Sequence, residues 1–308
     1  MSTKPQVFNP DNVTMLHAKN GTVPQKHAEL ITKDVIQNSI IMQLGKYEAM
    51  DSLEKEFQYF AEGPGAYWVG EGQKIQTSKP KWLTAKMVAH KLGVIIPVSR
   101  EYLHYSQSDF FAMMRPRIAE AFYRKFDEAG ILNVDNPFPQ SIEQSVATAK
   151  TKVDGAITYD NLLKLEDKLL DNDYEANAFI SKAQNKSALR SATKAENGVL
   201  QQLFDNSSNT LDGLPVVNLK SKELEKGTIY AGDFDQLYYG IPYGISYMIS
   251  EEAQLSTLKN EDGSPVNLFE QELVALRATM DVGLMIVNDE AFAKLGPKAS
   301  TSRAGSEG

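Results

Sequence analysis

Ala61-Glu-Gly-Pro-Gly-Ala-Tyr-Trp-Val-Gly-Glu-Gly-Gln-Lys-Ile-Gln-Thr-Ser-Lys-Pro-Lys-Trp82 places chain breakers, one Tyr, two Trp and three Lys between two strand-like runs. A connection of about twenty residues is long for a compact domain, where about four to six is usual, and such length marks function or disorder. Tyr67, Trp68, Val69, Ile75 and Trp82 supply apolar content that a solvated linker lacks. Trp is also favoured where a large surface is buried against a partner. The stretch therefore reads as an ordered projecting hairpin that packs on another chain.

Working outward, Glu56–Phe60 and Ala85–Val98 are rich in aromatic and branched residues and form the two strands of that hairpin. Pro97 either ends the pairing of the second strand or keeps it at an edge. On the N-terminal side, Leu30, Ile31, Val35, Ile36, Ile40, Ile41 and Leu44 recur at helical spacing, which predicts one amphipathic helix over 26–44 with Gly45 as its stop. Residues 1–25, with Pro5, Pro10 and Pro24, read as an extended arm. On the C-terminal side, Ser108 and Asp109 are N-cap candidates for the longest helix, about 108–130. Its apolar stripe is Phe111, Met114, Ile118, Phe122 and Phe126, and Gly130 is its left-handed stop. Pro116 inside it predicts a kink near Ala112.

Beyond Asn136-Pro-Phe-Pro139, Thr158 caps a helix carrying Leu162, Leu165, Leu169 and Leu170, and Ala176–Ile180 reads as a buried strand. Ser181 and Gln184 have capping-box spacing for a further helix. Strands are expected at Leu214–Leu219, Thr228–Ala231 and Leu237–Ile249, with Gly232-Asp233 as a turn. Residues 153–248 thus form a mixed α/β unit. Leu268, Phe269, Leu273, Leu276 and Met280 predict a helical stripe after Pro265, with a strand over Val282–Val287, and 298–308 reads as a disordered tail.

Composition bounds the function. A chain of 308 residues, 42% apolar and 23% charged, is an ordinary globular protein of one large domain or two smaller ones, and it has no apolar run long enough to span a membrane. The first ten residues lack a secretory pattern, so the protein is expected to stay in the compartment where it is made. Zero Cys removes disulfides, thiolate metal sites and cysteine nucleophiles. A net charge of −8 argues against tight nucleic-acid binding. It is nevertheless compatible with an acidic wall that encloses a polyanion without gripping it.

Catalytic signals are weak. The four His, at 17, 27, 90 and 104, have no metal-pair spacing. Gly63-Pro-Gly and Gly70-Glu-Gly lack the context of a phosphate cradle, and Gly there serves close backbone approach. The carboxylates at 171–175 and 261–263 read as solvated turns, and no Ser sits in a nucleophile elbow. Tyr238-Tyr239 and Phe110-Phe111 read as core or interface. No catalytic, cofactor-binding or metal set is expected.

Several segments together resemble tailed-phage major capsid proteins of the Hong Kong 97 fold, with most likeness to long-tailed phages of Gram-positive bacteria. They are Val69-Gly-Glu-Gly-Gln-Lys-Ile75, Ser78, Lys91–Glu101, Ala119–Gly130, Glu175–Lys182, Leu211–Asn218, Val266–Gln271 and Ala275–Ala278. The resemblance spans residues 4–297. It implies an α+β fold with an N-terminal arm at 1–45 and an extended loop at about 55–92 within a first peripheral part, 46–152. The long helix is the spine of that part, 153–248 is the axial domain around five-fold and six-fold axes, and 249–297 completes the peripheral domain.

The implied function is self-assembly, as pentamers and hexamers, into an icosahedral virion shell built in the host cytoplasm around packaged double-stranded DNA. A separate scaffolding protein and a portal protein are the implied partners, with no membrane and no cofactor. Tyr67, Trp68, Glu71, Lys74, Lys79, Lys81 and Trp82 are the expected contacts of the loop with a neighbour. Some family members carry a long N-terminal scaffolding domain, and others join Lys to Asn covalently; neither pattern is recognisable here. Two rivals are an encapsulin-like nanocompartment shell and a hydrolytic enzyme in which the loop is a lid and Glu71 or Asp233 the acid.

Overall fold

A computed structural model describes residues 25–62, 74, 81–196, 199–260 and 264–298. The expected arm over 1–24, the tail after Lys298 and the turn at 261–263 lie outside the described residues.

The chain begins with helices α1 (Gln25–Asn38) and α2 (Ile40–Leu44), where the apolar spacing predicts one helix. The break falls at Ser39, whose extended backbone and side chain cap α2 by accepting from Met42 N. Gly45 ends α2 in an extended conformation. It is required by space, because a Cβ would lie 2.6 Å from Leu237 Cδ2 and 2.8 Å from Ile41 O.

Strand β1 (Lys46–Tyr47) leads to β2 (Glu54–Glu62) and β3 (Lys81–Ser99), the hairpin strands. Helix α3 then runs from Arg100 to Leu132, starting eight residues before the expected cap because Ser99, at the end of β3, is the N-cap. Its stop is Asn133, in the left-handed region at φ 60°, and not Gly130. Gly130 stays helical and lets α2 and the sheet approach: a Cβ there would lie 2.4 Å from Ile41 Cδ1 and 2.9 Å from Leu284 Cδ2. Pro116 sits inside the continuous helix.

The largest departure from the sequence reading is at 265–286. No helix forms; β14 (Gln254–Lys259) and β15 (Pro265–Asn267) make a hairpin, and β16 (Leu273–Ile286) is the central strand of the first sheet. It pairs antiparallel with β3 from Leu273↔Ser99 to Leu284↔Val88. Its other edge is shared by β12 (Leu237–Gly240) and β13 (Ser246–Ser250), so the single strand expected over 237–249 is two. β1 adds parallel to β12, and β2 pairs with β3 from Glu54↔Val88 to Glu62↔Lys81. Among the described residues β3 is therefore unpaired on the β2 side beyond Ala89, which is where Pro97 is tolerated.

The second sheet has the order β4 (Lys152–Asp154), β17 (Phe292–Gly296), β11 (Ile229–Gly232), β5 (Ala178–Ser181), β10 (Leu214–Asn218), β9 (Thr210–Leu211) and β8 (Phe204–Asp205). Helix α4 (Ile142–Ala149) lies on one side and α5 (Tyr159–Leu170) on the other. Thr158 caps α5; Leu162, Leu165 and Leu169 are buried, while Leu170 is 53% exposed and not on the core stripe. Ser181 does not cap the next helix. It ends β5, and its hydroxyl accepts from Asn185 Nδ2 at 3.1 Å. The remaining described elements are α6 (Lys186–Ser191), the ribbon of β6 (Thr193–Glu196) with β7 (Val199–Gln202), and short 3-10 turns at Ala183–Asn185, Phe234–Gln236 and Asp289–Ala291.

The strand membership crosses the divisions drawn from sequence at 248 and 249: β12 lies in the first sheet and β17 in the second. One core joins them. Ile118, Phe122 and Phe126 of α3 pack with Leu276, Ala278, Met280, Val282 and Leu284 of β16, and the same cluster continues through Phe138, Ile142 and Ile180 to Tyr230 and Phe292. The opposite face of the second sheet packs Phe179, Ile229, Ala231 and Leu295 against the α5 leucines. Central strands buried on both faces carry unbroken apolar runs, as β5 and β11 do.

Candidate assembly surfaces

The hairpin is rooted by a small cluster of Met50, Met87, Ala89 and Met285, onto which Phe57 and Ala85 pack. Its eight-residue pairing from Val88 to Lys81 makes a stem of about 25 Å. Lys86 pairs with Glu54 at 2.6 Å and Lys55 with Glu48 at 2.7 Å, and Lys55 Nζ lies 5.2 Å from the Phe57 ring centre. These exposed or half-exposed pairs orient the stem and contribute little energy.

Of the contacts expected from the loop, Tyr67, Trp68, Glu71 and Lys79 lie outside the described residues, and Lys74 is exposed. Lys81 stands opposite Glu62, and Trp82 opposite Phe60, in the strand register. On α3, Ile118, Phe122 and Phe126 are buried and Met114 half-buried; Phe111 lies within the helix, its side chain outside the description.

Sequence reasoning missed the turn at 268–272, because it assigned that stretch to a helix. Leu268 is fully buried beneath it, and Phe269 is 70% exposed. The turn is stiff: Phe269 N donates to Asn267 Oδ1 at 3.2 Å, Leu273 N to Leu268 O at 2.9 Å, and Arg100 N to Glu272 O at 3.0 Å. A second surface is a crevice of about 180 Å³ at the edge of β3 left unpaired among the described residues, between His90 and Leu92, Phe126 and Ala129 of α3, and Pro137 and Phe138. The His90 and Phe138 rings meet edge to face at 5.4 Å. The alternation of β3 and β16 also leaves Ile95 and Arg277, which are paired, on the uncored face beside Met248.

Two charged groups inside the molecule hold its elements together, whereas Glu166 of α5 has a buried Oε1 without a hydrogen-bond partner among the described residues and is raised to about 7 by burial. Asp127 of α3 is buried and accepts from Ser39 Oγ at 2.7 Å, Ile40 N at 2.9 Å and Ile41 N at 3.2 Å, so it seats the start of α2 on the long helix. Burial raises its carboxyl to about 7, against the opposing pull of those three donors. Glu143 accepts from Tyr230 Oη at 2.5 Å and from Lys294 Nζ at 2.6 and 2.8 Å, tying α4 to the second sheet. Asp233, the candidate acid, accepts from Asn177 Nδ2 at 3.1 Å and Asp235 N at 3.0 Å, which makes it a turn-former. Among the described residues no group of three His, Cys, Asp or Glu could hold a metal ion, and no helix is long and apolar enough to cross a membrane.

A rooted hairpin, a turn presenting an aromatic ring and a sheet edge unpaired among the described residues are surfaces suited to contact. The chain belongs to the phage capsid family, whose model matches residues 20–296. It is 58% identical over 297 residues to the major capsid protein of Staphylococcus phage 80alpha, covering 96% of this chain and 91% of that one. It is 25% identical over 269 residues to a probable major capsid protein of Mycobacterium phage D29, covering 84% and 85%. Among solved structures, a chain of Microbacterium phage Oxtober96 aligns at TM-score 0.68 with 20% identity, over 84% of this chain and 91% of that one. The capsid of an empty GTA particle computed with C5 symmetry aligns at 0.60 with 19% identity, over 84% and 89%. These likenesses in structure establish a shared mixed helix-and-sheet capsid fold.

Proposed function

We infer that this chain, a major capsid protein of a tailed phage, builds the icosahedral head shell that encloses packaged double-stranded DNA. The observation that carries the reading is the 58% identity, over nearly the whole chain, to a major capsid protein. In this reading residues 1–45 are the arm, and 55–92 is the extended loop that lies over a neighbour through Tyr67, Trp68, Glu71, Lys74, Lys79, Lys81 and Trp82. The long helix is the spine of the peripheral domain, and 153–248 is the axial domain of pentamers and hexamers. Scaffolding and portal proteins are separate chains, and assembly takes place in the host cytoplasm.

Physical considerations support the same assignment. A stem of about 25 Å carries its loop beyond the small cluster that roots it. Contacts that are individually weak suffice when each subunit makes several at once. A net charge of −8 favours a wall from which a packaged polyanion can slide. The nanocompartment and hydrolase readings find no support among the relatives.

Deletion of residues 66–79 tests the assignment of the loop. The variant is expected to keep the circular dichroism and thermal unfolding of a folded subunit and to lose stable shells. Normal shells from the deleted chain would show that the loop has another role.

A further inference from the structure

Resting on the shell reading, we propose that Phe269 of one subunit seats in the crevice beside His90, Leu92, Phe126, Ala129, Pro137 and Phe138 of an adjacent copy. Knob and hole match in size. Phe269 is the most exposed of the large apolar side chains described, and the crevice of about 180 Å³ compares with the roughly 150 Å³ cavity that accepts a benzene molecule. Glu270 and Glu272 follow the ring in the same exposed turn, and the crevice is lined by the Lys91 position of β3 and by Lys125, which Asp135 holds at 2.6 Å. The ring needs little ordering, because Leu268 and the turn hydrogen bonds already fix its base.

Phe269 of the same chain does not reach this crevice. Leu273, next to the turn, pairs with Ser99, while the crevice begins at Leu92 and His90, opposite Met280 and Val282. That separation of seven to nine extended residues is about 25–30 Å. A contact between two different patches of identical chains is met either twice across a two-fold axis or head to tail around a ring. Among the described residues, the β2 side of β3 is unpaired beyond Ala89, whose N–H donates to Leu53 O, which gives an incoming ring lateral access at the crevice.

The absence of cysteine from the chain makes a clean test possible. Gln271→Cys and Pro137→Cys, both at exposed positions, leave Phe269 and the buried crevice residues Phe126, Ala129 and Phe138 unchanged, with Pro137 at the crevice rim. Copies carrying one substitution are assembled with copies carrying the other, with the scaffolding partner present, and treated with a short bis-maleimide linker. Cross-linked dimers are expected from the mixed particles and not from particles of either variant alone. Phe269→Ala should raise the concentration needed for particle formation by about tenfold or more, the loss typical of one buried aromatic anchor, with an unchanged monomer melting curve. Particles that form without the 271–137 cross-link would overturn this contact and leave the shell reading standing. Absence of particles from the unsubstituted chain under the same conditions would overturn both.

Discussion

Asp127 is where the physics of a single residue is sharpest. Three donors from the start of α2 converge on its carboxylate, and complete burial pushes its titration up to about 7. Because the folded form holds the proton more tightly than the unfolded form does, the folded subunit binds more protons between about pH 4 and 7. Its stability contribution is therefore complete at the acid end and is lost as pH rises through 7, with a slope of at most about 1.4 kcal/mol per pH unit. Thermal unfolding of unassembled subunits should show this decline from pH 5 to 8, and Asp127→Asn should flatten it. An identical pH profile in the variant would contradict the assignment. Gly130 makes a second case, since Ala there meets Ile41 and Leu284 at once. Gly130→Ala should cost about 1–3 kcal/mol by overpacking, although Ala is ordinarily the better helix former. Denaturant unfolding measures it.

At the scale of elements, β16 organises the first sheet: it is paired on both edges and buried along most of its length. Hydrogen exchange of its amides over 276–284 should require global unfolding, whereas those of the hairpin stem over 54–57 should exchange sooner through local opening. Equal protection in the two would show that the stem is as firmly held as the centre. This strand is also what the sequence concealed. Leu273, Leu276 and Met280 fit a helical stripe by their spacing of three and four, and that spacing masked the two-residue alternation in which Leu276, Ala278, Met280 and Val282 are buried while Arg277 is exposed. The hairpin strands were legible, since β3 is half-buried and alternates. The long helix was legible in its middle, where Ile118, Phe122 and Phe126 face the sheet, and misplaced at both ends. Ser99 and Asn133 cap it through backbone conformation fixed by neighbouring elements. Gly45 is the stop its position suggested, whereas Gly130 stays helical, and both also answer to close packing, which no local pattern announces. The Phe269 turn was hidden for the same reason as β16.

For the whole molecule, two sheets and a long helix share one continuous core. The chain belongs to the phage capsid family, and its structural neighbours include a capsid computed with C5 symmetry, which supports a homo-oligomeric shell. In the proposed reading the hairpin, the Phe269 turn and the edge of β3 are contact surfaces of that shell. The shell reading requires that the subunit, alone or with the proposed scaffolding partner, yield closed particles of uniform size. Negative-stain electron microscopy of the sedimented fraction tests this most directly: the account predicts closed icosahedral shells made of this chain, and protein that stays monomeric across salt and concentration, also with a scaffold, would contradict it.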